Sequence, residues 1–521
     1  MPADFQTIAG AGMSVSPDDV AAIVARACPA ADYRGRKVVV IVPDGTRTAP
    51  IGLLFKTLFA QLSPVTAKFD VMIALGTHPA MTNDAINERV EITAAERAGK
   101  YRAVEFINHE WDNPTALKDL GSITAAEISE LSGGLFAMDV PVHINKRLFD
   151  YDQIIIVGPV FPHEVVGFSG GNKYLFPGVA GPGILNFFHW LGAVATNPMI
   201  IGNKWTPVRK VVDRAGAMVT VPKTAFCLVV DGPAKLAGIF AGTPEGAWDS
   251  ASELSRQLHI TYKDHPFHTV LSCAPLMYDE LWVGGKCMYK LEPVVADGGE
   301  LIIYAPHIHE VSVIHGATIE RIGYHCRDYF LKQWDKFKHE PWGILAHSTH
   351  VHGIGTYDAV TGIETPRIKV TLATGIPEAI CRKINLGYRD WRSIDKAAYA
   401  NREAEGVFYE PKAGERLYHL RNRPAWAGGN LYSLSPCPTP PPPPAIRTPP
   451  STAAAARAAS SCRPSPWGSG TTSGRTTRSR PAAICSSSPS IWGSPTSTSR
   501  TTTGHLRARP RSPSARFSTR T

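Results

Sequence analysis

Three side chains able to move a proton, form a covalent bond or hold a metal stand close together in this chain. They are His163, Lys173 and His189, at intervals of ten and sixteen residues. The turn Gly167-Phe168-Ser169-Gly170-Gly171-Asn172 lies between the first two, and Glu164 is the segment's only other charge. Histidine titrates near neutrality, which suits general acid–base work, and neutral imidazole ligates borderline metals such as nickel. A lysine in an apolar, glycine-rich setting loses proton affinity by desolvation and becomes a nucleophile. The competing reading is a solvated loop lysine. Upstream, Asp44-Gly45-Thr46-Arg47 places a carboxylate beside a guanidinium fork that suits a carboxylate or phosphate. A plain turn capped by Asp44 accounts for it equally well. Gly76-Thr77-His78 adds a third loop histidine.

Two familiar motifs are tested by spacing. A phosphate-binding loop needs four residues between its glycines and then Lys-Ser/Thr. Here three residues separate Gly167 from Gly171, Asn172 intervenes, and Tyr174 follows Lys173. Gly167-Phe168-Ser169-Gly170-Gly171 does fit the Gly-x-Ser-x-Gly nucleophile elbow of serine hydrolases. That elbow joins a strand directly to a helix, whereas here a Pro-His loop follows the strand, and no His-Gly-Gly-Gly segment lies upstream. A serine hydrolase acting through Ser169 is the alternative from another reaction class. His307, His309 and His315 lack the His-Glu-x-x-His interval and are read as structural.

The elements that must position these groups alternate between strand and helix. Lys37–Val42 is a continuous β-branched run, as in a strand buried on both faces. Residues 50–62 carry helical spacing behind a proline, Phe69–Leu75 reads as a strand, and 81–99 as a polar helix. Val104–Asn108 and Gln153–Val157 add two strands. This rhythm implies parallel crossovers, with functional residues in loops at the carboxyl ends of strands. Asp44, His78 and His163 fall in such loops. A second α/β unit follows the polar stretch Gln257–Pro266, with strands expected at Thr269–Cys273, Glu300–Tyr304, Gly343–His347 and Lys369–Ala373. A partly helical stretch, 278–296, lies between the first two. The expected fold is two α/β lobes with largely parallel sheets and a cleft between them. Residues 1–262 form the N-terminal domain, 263–405 the C-terminal domain and 406–432 a return segment.

Composition changes abruptly after that. Residues 433–521 are a Pro/Ser/Thr/Arg tail expected to be disordered, since it cannot bury enough apolar surface to offset its ordering entropy. Residues 436–521 hold twelve Arg and no Lys, Asp or Glu, as out-of-frame translation of a GC-rich gene produces. The formal charge of +9 therefore reduces to −3 over residues 1–435, which argues against a nucleic-acid partner. The nine cysteines are scattered singly, as in a reducing compartment. Met1–Gly12 has no basic start followed by an apolar core, and no apolar run approaches membrane-spanning length. A cytoplasmic protein with no membrane partner is expected.

Taken together, Asp44-x-Thr46-Arg47, Gly76-x-His78, Pro162-His163, Gly167-Phe168-Ser169-Gly170-Gly171-x-Lys173 and His189 resemble the nickel-pincer lactate racemase family, over roughly residues 10–425. The resemblance implies a racemase or epimerase of 2-hydroxy acids. Its cofactor is the nickel pyridinium-3,5-bisthiocarboxylic acid mononucleotide (nickel-pincer nucleotide), made by separate maturation enzymes. By match, Lys173 tethers the cofactor, His189 ligates nickel, and Thr46, Ser169, Gly170 and Gly171 line the cofactor. His78 and His163 are the paired acid/bases, and Arg47, positioned by Asp44, binds the substrate carboxylate. Trp282-Val283-Gly284-Gly285-Lys286 resembles a second-lobe segment whose lysine, here Lys286, also contacts substrate. Two departures stand out. Val283 replaces a glutamine usual in lactate-active relatives, and Asn172 stands where a basic or small residue is commoner. The substrate expected is a larger or less polar 2-hydroxy acid than lactate, or a sugar acid epimerised at C2. A non-catalytic cofactor-binding protein is the remaining alternative.

Overall fold

The computed structural model describes residues 3–45, 48–76, 78–232, 235–414 and 416–422. Thr46, Arg47 and the tail 433–521 lie outside the described residues, as does the end of the return segment. Twelve strands make two sheets. The first holds β1 (Phe5–Ile8), β2 (Lys37–Pro43), β3 (Lys68–Ala74), β4 (Phe106–Asn108), β5 (Gln153–Pro159), β6 (Lys223–Asp231) and β7 (Lys235–Gly242). Its spatial order is β1-β7-β6-β5-β2-β3-β4. The strands from β6 to β4 run parallel, while β1 and β7 form an antiparallel edge.

The sequence Lys-Val-Val-Val-Ile-Val-Pro makes β2 a central strand because both of its faces are apolar. Val39 and Ile41 enter one core, and Val38, Val40 and Val42 enter another on the opposite face. Helix α1 (Ile51–Leu62) covers that second face with Ile51, Leu54, Phe55, Leu58 and Leu62, spaced as one helical stripe. The polar helix expected over 81–99 is two short ones, Asn83–Arg89 and Ala94–Ala98, each with a threonine cap. Between them Glu91 takes a φ of 55°, and a helix cannot continue through that conformation. Helices α2 (Pro182–Ala195), α3 (Pro207–Ala217) and α4 (Pro244–His259) complete the first half.

The second sheet contains β8 (Phe267–Cys273), β9 (Val295–Ala305), β10 (Lys369–Thr374), β11 (Gly387–Tyr388) and β12 (Val407–Glu410), in the order β11-β10-β9-β8-β12. Every pairing in it is parallel. The strand expected at Gly343–His347 is instead part of helix α5 (Trp342–His352). All residues from Ile344 to His352 are buried, so this helix has no polar stripe, and its short apolar run reads as a strand. Helix α2 is buried just as fully from Phe187 to Ala195 and packs against α5. One apolar core therefore runs from Ile41 and Ile156 through Phe187 and Trp190 to Trp334 and Leu345. Strand Leu417–Leu420 returns to pair with Ile260–Lys263. Among the described residues no helix is long and apolar enough to cross a membrane.

Candidate active site

Strands β5, β2 and β3 are neighbours, and their carboxyl ends deliver the first group of residues. Asp44 follows β2, and its carboxylate lies 2.5 Å from Nδ1 of His78. A carboxylate accepts, so Nδ1 carries the proton and Nε2 holds the lone pair. Both side chains are largely buried, at 9% and 12% exposed, which keeps the bond out of competition with water. The backbone N–H of Gly76 donates to Gly178 O at 2.8 Å, tying this loop to the one that follows Lys173.

His163 leaves β5 in a two-residue hairpin, where Pro162–His163 pairs with Gly167–Phe168. The backbone N–H of Val165 donates to its Nδ1 at 3.1 Å, and the Glu164 carboxylate stands 3.7 Å from the same nitrogen. Neutral His163 therefore carries its proton on Nε2, the opposite tautomer from His78. Gly167, at a φ of 86°, has no alternative, since a Cβ there would sit 1.9 Å from Asn203 O. Buried Arg209 donates to Phe168 O at 2.6 Å and lies 4.0 Å from the Trp248 ring centroid. These contacts hold the glycine turn from behind.

Ser169 is committed to the backbone. Its hydroxyl donates to Pro159 O at 3.1 Å and accepts from Phe161 N–H at 2.9 Å. It sits in a hairpin-to-3₁₀ turn, without the strand-to-helix geometry of a nucleophile elbow, and this counts against the hydrolase alternative. Gly170 and Gly171 face Val160, Pro244 and Trp248 so closely that protein packing by itself explains both glycines. Asn172 also has a structural account. Fully buried, it donates to Asp213 Oδ1 at 3.1 Å and Glu245 Oε1 at 2.6 Å, joining α3 to α4.

Lys173 lies in the short turn Gly171–Tyr174. His189 is buried in the middle of α2, and its Nδ1 donates to Leu185 O at 2.7 Å, so Nε2 is the lone-pair nitrogen. Burial pushes its proton affinity down to about 3; the Leu185 carbonyl opposes this and the Lys173 charge adds to it. The structure thus brings Lys173 within electrostatic reach of an imidazole that burial holds neutral. His109, after β4, was not singled out by the sequence. Its Nε2–H donates to Ala180 O at 3.0 Å and its Nδ1 accepts from Asn145 at 3.1 Å, pinning the 176–181 loop.

From the second half, Lys286 begins a short helix, Lys286–Tyr289, with its ammonium 5.1 Å from the Tyr278 ring centroid. Val283 is buried one turn before it. Trp282 is sandwiched between His315 and His347, at ring-centroid distances of 4.2 and 3.8 Å. A Cβ on Gly285 would meet Val351 Cγ2 at 2.8 Å, so the glycine lets this segment lie directly on α5. His350, also on α5, is held down to about 3 by burial and by the neighbouring His189. The His347-Ser348-Thr349-His350-Val351-His352 run was the available sequence signal for this buried cluster. His307 bonds to Tyr278 O at 3.1 Å, and His309 packs on Gly375. Among the described residues no group of three His, Cys, Asp or Glu side chains could hold a metal ion, and the six described cysteines are buried and free.

Fold and site together define a two-sheet α/β protein whose loop histidines leave neighbouring parallel strands and whose helical histidine is set as a neutral donor. The model of the lactate racemase N-terminal domain matches residues 23–198. The chain is 25% identical over 281 residues to the lactate racemase of Thermoanaerobacterium thermosaccharolyticum, covering 52% of this chain and 60% of that protein. It is 26% identical over 232 residues to the lactate racemase of Lactiplantibacillus plantarum, covering 43% and 49%. The matches thus span between half and three-fifths of these curated relatives. A Thermotoga maritima protein of solved structure is 34% identical, with a TM-score of 0.67, covering 79% of this chain and 99% of that one. The lactate racemase apoprotein of T. thermosaccharolyticum shares the fold, with a TM-score of 0.57 at 19% identity over 78% of this chain and 94% of that one. Residues 23–198 thus match the lactate racemase N-terminal domain, and the chain is similar to lactate racemases in sequence and in fold.

Proposed function

We propose that this protein inverts the C2 centre of a 2-hydroxy acid, using a nickel-pincer nucleotide tethered at Lys173. The observation that carries the reading is His189, a buried imidazole kept neutral with Nε2 as its donor, within electrostatic reach of Lys173. A single imidazole suits a cofactor that brings its own remaining nickel donors, and a hydrogen bond from Nδ1 to a backbone carbonyl, as to Leu185 O here, is how proteins orient such a ligand. When bound, the group supplies a hydride acceptor. Maturation enzymes that build it are the protein partners of this reading, and the cytoplasm its compartment.

The chain's own residues do the rest. His78, oriented by Asp44, takes the hydroxyl proton at Nε2, as a base held in one tautomer does best. His163 is the second proton-handling group. Arg47 and Lys286 fix the substrate carboxylate, so the reacting carbon stays in place. Residues 1–262 carry the cofactor and the bases, and 263–405 contribute Lys286 and the side-chain pocket. Val283 offers no amide, which favours a larger or less polar acid than lactate, or a sugar acid.

Intact mass and nickel content, measured on protein co-expressed with the maturation enzymes, test the reading against Lys173→Ala. A cofactor-sized adduct with near-stoichiometric nickel, absent from Lys173→Ala, is the expected result. No adduct in a host that loads a control racemase overturns it.

A further inference from the structure

His78 and His163 are set for different work, and a carboxylate outside the assigned site explains how His163 can change roles. An amide N–H can only donate, so the Val165 bond at 3.1 Å uses the Nδ1 lone pair of His163. The neutral ring then presents Nε2–H, which gives a hydrogen bond but cannot take a proton. To take one at Nε2 the ring must carry its own proton on Nδ1 instead, and to give one there without becoming an anion it must carry a proton on Nδ1 as well. That proton needs an acceptor, and the Val165 amide is not one. The Glu164 carboxylate stands 3.7 Å from Nδ1, with both side chains about 95% buried. A small tilt of the ring exchanges the Val165 bond for one to Glu164.

We propose that Glu164 governs the proton state of His163. Bonded to Val165 the ring is a neutral donor, and bonded to Glu164 it becomes a group that transfers a proton at Nε2. His78 needs no such change, because Asp44 already holds its Nδ1–H. The resting pair is therefore one base and one donor. The catalytic meaning of the exchange rests on the racemase reading: a substrate of either hand requires His163 to transfer a proton too, and Glu164 is the positioning residue that permits it. Among the described residues, other polar and ionisable groups around the hairpin have partners of their own. Arg209 binds Phe168 O and faces Asp213 at 3.5 Å, and His259 bonds to Ser255 Oγ and Val230 O. Asn172 occupies Glu245, and the Lys173 charge acts on His189.

Long-range ¹H–¹⁵N spectra of the full chain labelled with ¹⁵N-histidine read each ring's tautomer directly, with His78→Gln and His163→Gln for assignment. In neutral wild type, His163 is expected to carry its proton on Nε2 and His78 on Nδ1. Removing a carboxylate this close should lower the proton affinity of His163 about tenfold or more in Glu164→Gln, without altering its neutral tautomer. Glu164→Asp, which keeps the charge but draws it back, should show a smaller drop and decides the matter if Glu164→Gln does not fold. A neutral His163 with its proton on Nδ1, or an affinity unchanged by these substitutions, overturns the proposal. Isomerisation of a hydroxy acid with unchanged His163 affinity defeats this proposal alone. The expected tautomers and affinities in a cofactor-loaded protein that isomerises nothing defeat the racemase reading and leave the Glu164 pairing standing.

Discussion

Asp44→Asn tests whether the Asp44–His78 bond sets the base. The substitution keeps the shape of the side chain but replaces an acceptor that can only hold Nδ1–H by an amide that can face the ring with either its oxygen or its NH₂. The bond is 2.5 Å long and shielded from solvent, with its partners 9% and 12% exposed. Hydrogen bonds to charged groups in such settings contribute about 1.5–3 kcal/mol, which at about 1.4 kcal/mol per decade corresponds to a roughly 10- to 150-fold fall in kcat. The larger share of the loss should fall on kcat, because Asp44 bonds directly to His78, with a smaller rise in KM through Arg47, which Asp44 is expected to position. Nickel and cofactor loading should match the wild type, since Lys173 and His189 lie on other elements. The assay is the rate of inversion of a 2-hydroxy acid followed by polarimetry or chiral chromatography, with loading measured on the same sample. Full activity in Asp44→Asn, or a loss that tracks lost nickel, refutes the assignment of Asp44 as the group that orients the base.

Four further outcomes follow from the geometry. Ser169→Ala should lower stability by about 1–3 kcal/mol in urea unfolding, because it strands Phe161 N–H and leaves Pro159 O with the Tyr174 hydroxyl as its side-chain donor, while cofactor loading survives; unchanged stability contradicts this account of the serine. Gly167→Ala should cost about 3 kcal/mol or more and collapse soluble yield, given a Cβ 1.9 Å from Asn203 O, and a normally folded variant would show that contact to be wrong. Gly285→Ala should cost about 1–3 kcal/mol by driving the Lys286 segment off Val351, read as a drop in thermal midpoint together with a raised KM. Acid should weaken the fold through His109, whose proton affinity is held down to about 4 by burial. The unfolded chain then binds the extra proton between its ordinary value near 6.5 and the folded value, so this contribution is complete above that window. It is lost at about 1.4 kcal/mol per pH unit as pH falls through it. His109→Asn should flatten the pH dependence of the urea midpoint below about pH 6, and an unaltered slope removes His109 from the explanation.

Much of the positioning framework was legible locally. The apolar run of β2 identified a central strand because both of its faces are buried, and parallel pairing then placed Asp44, His78 and His163 beyond strand ends. Fully buried helices were not legible: α2 was not read as a helix despite its proline start, and α5, which has no polar face, read in part as a strand. The antiparallel edge was missed because β1 and β7 lie far apart in the chain, Phe5 pairing with Ala241, and neither strand names its partner in sequence. The glycine turn invited an anion-binding reading, yet Asn203, Val160, Pro244 and Trp248, all distant in sequence, are what forbid a side chain there.

The alternation of strands and helices, the loops that carry the candidate residues and the resemblance to lactate racemases were all readable in the sequence, because these depend on residue type and short spacing. Only the tertiary structure decided which nitrogen of each histidine holds the proton. That choice depends on what stands within about 3 Å of the ring. Asp44 at His78 and Leu185 at His189 leave a lone pair at Nε2, whereas Val165 at His163 leaves an N–H there, so three chemically identical side chains present different atoms.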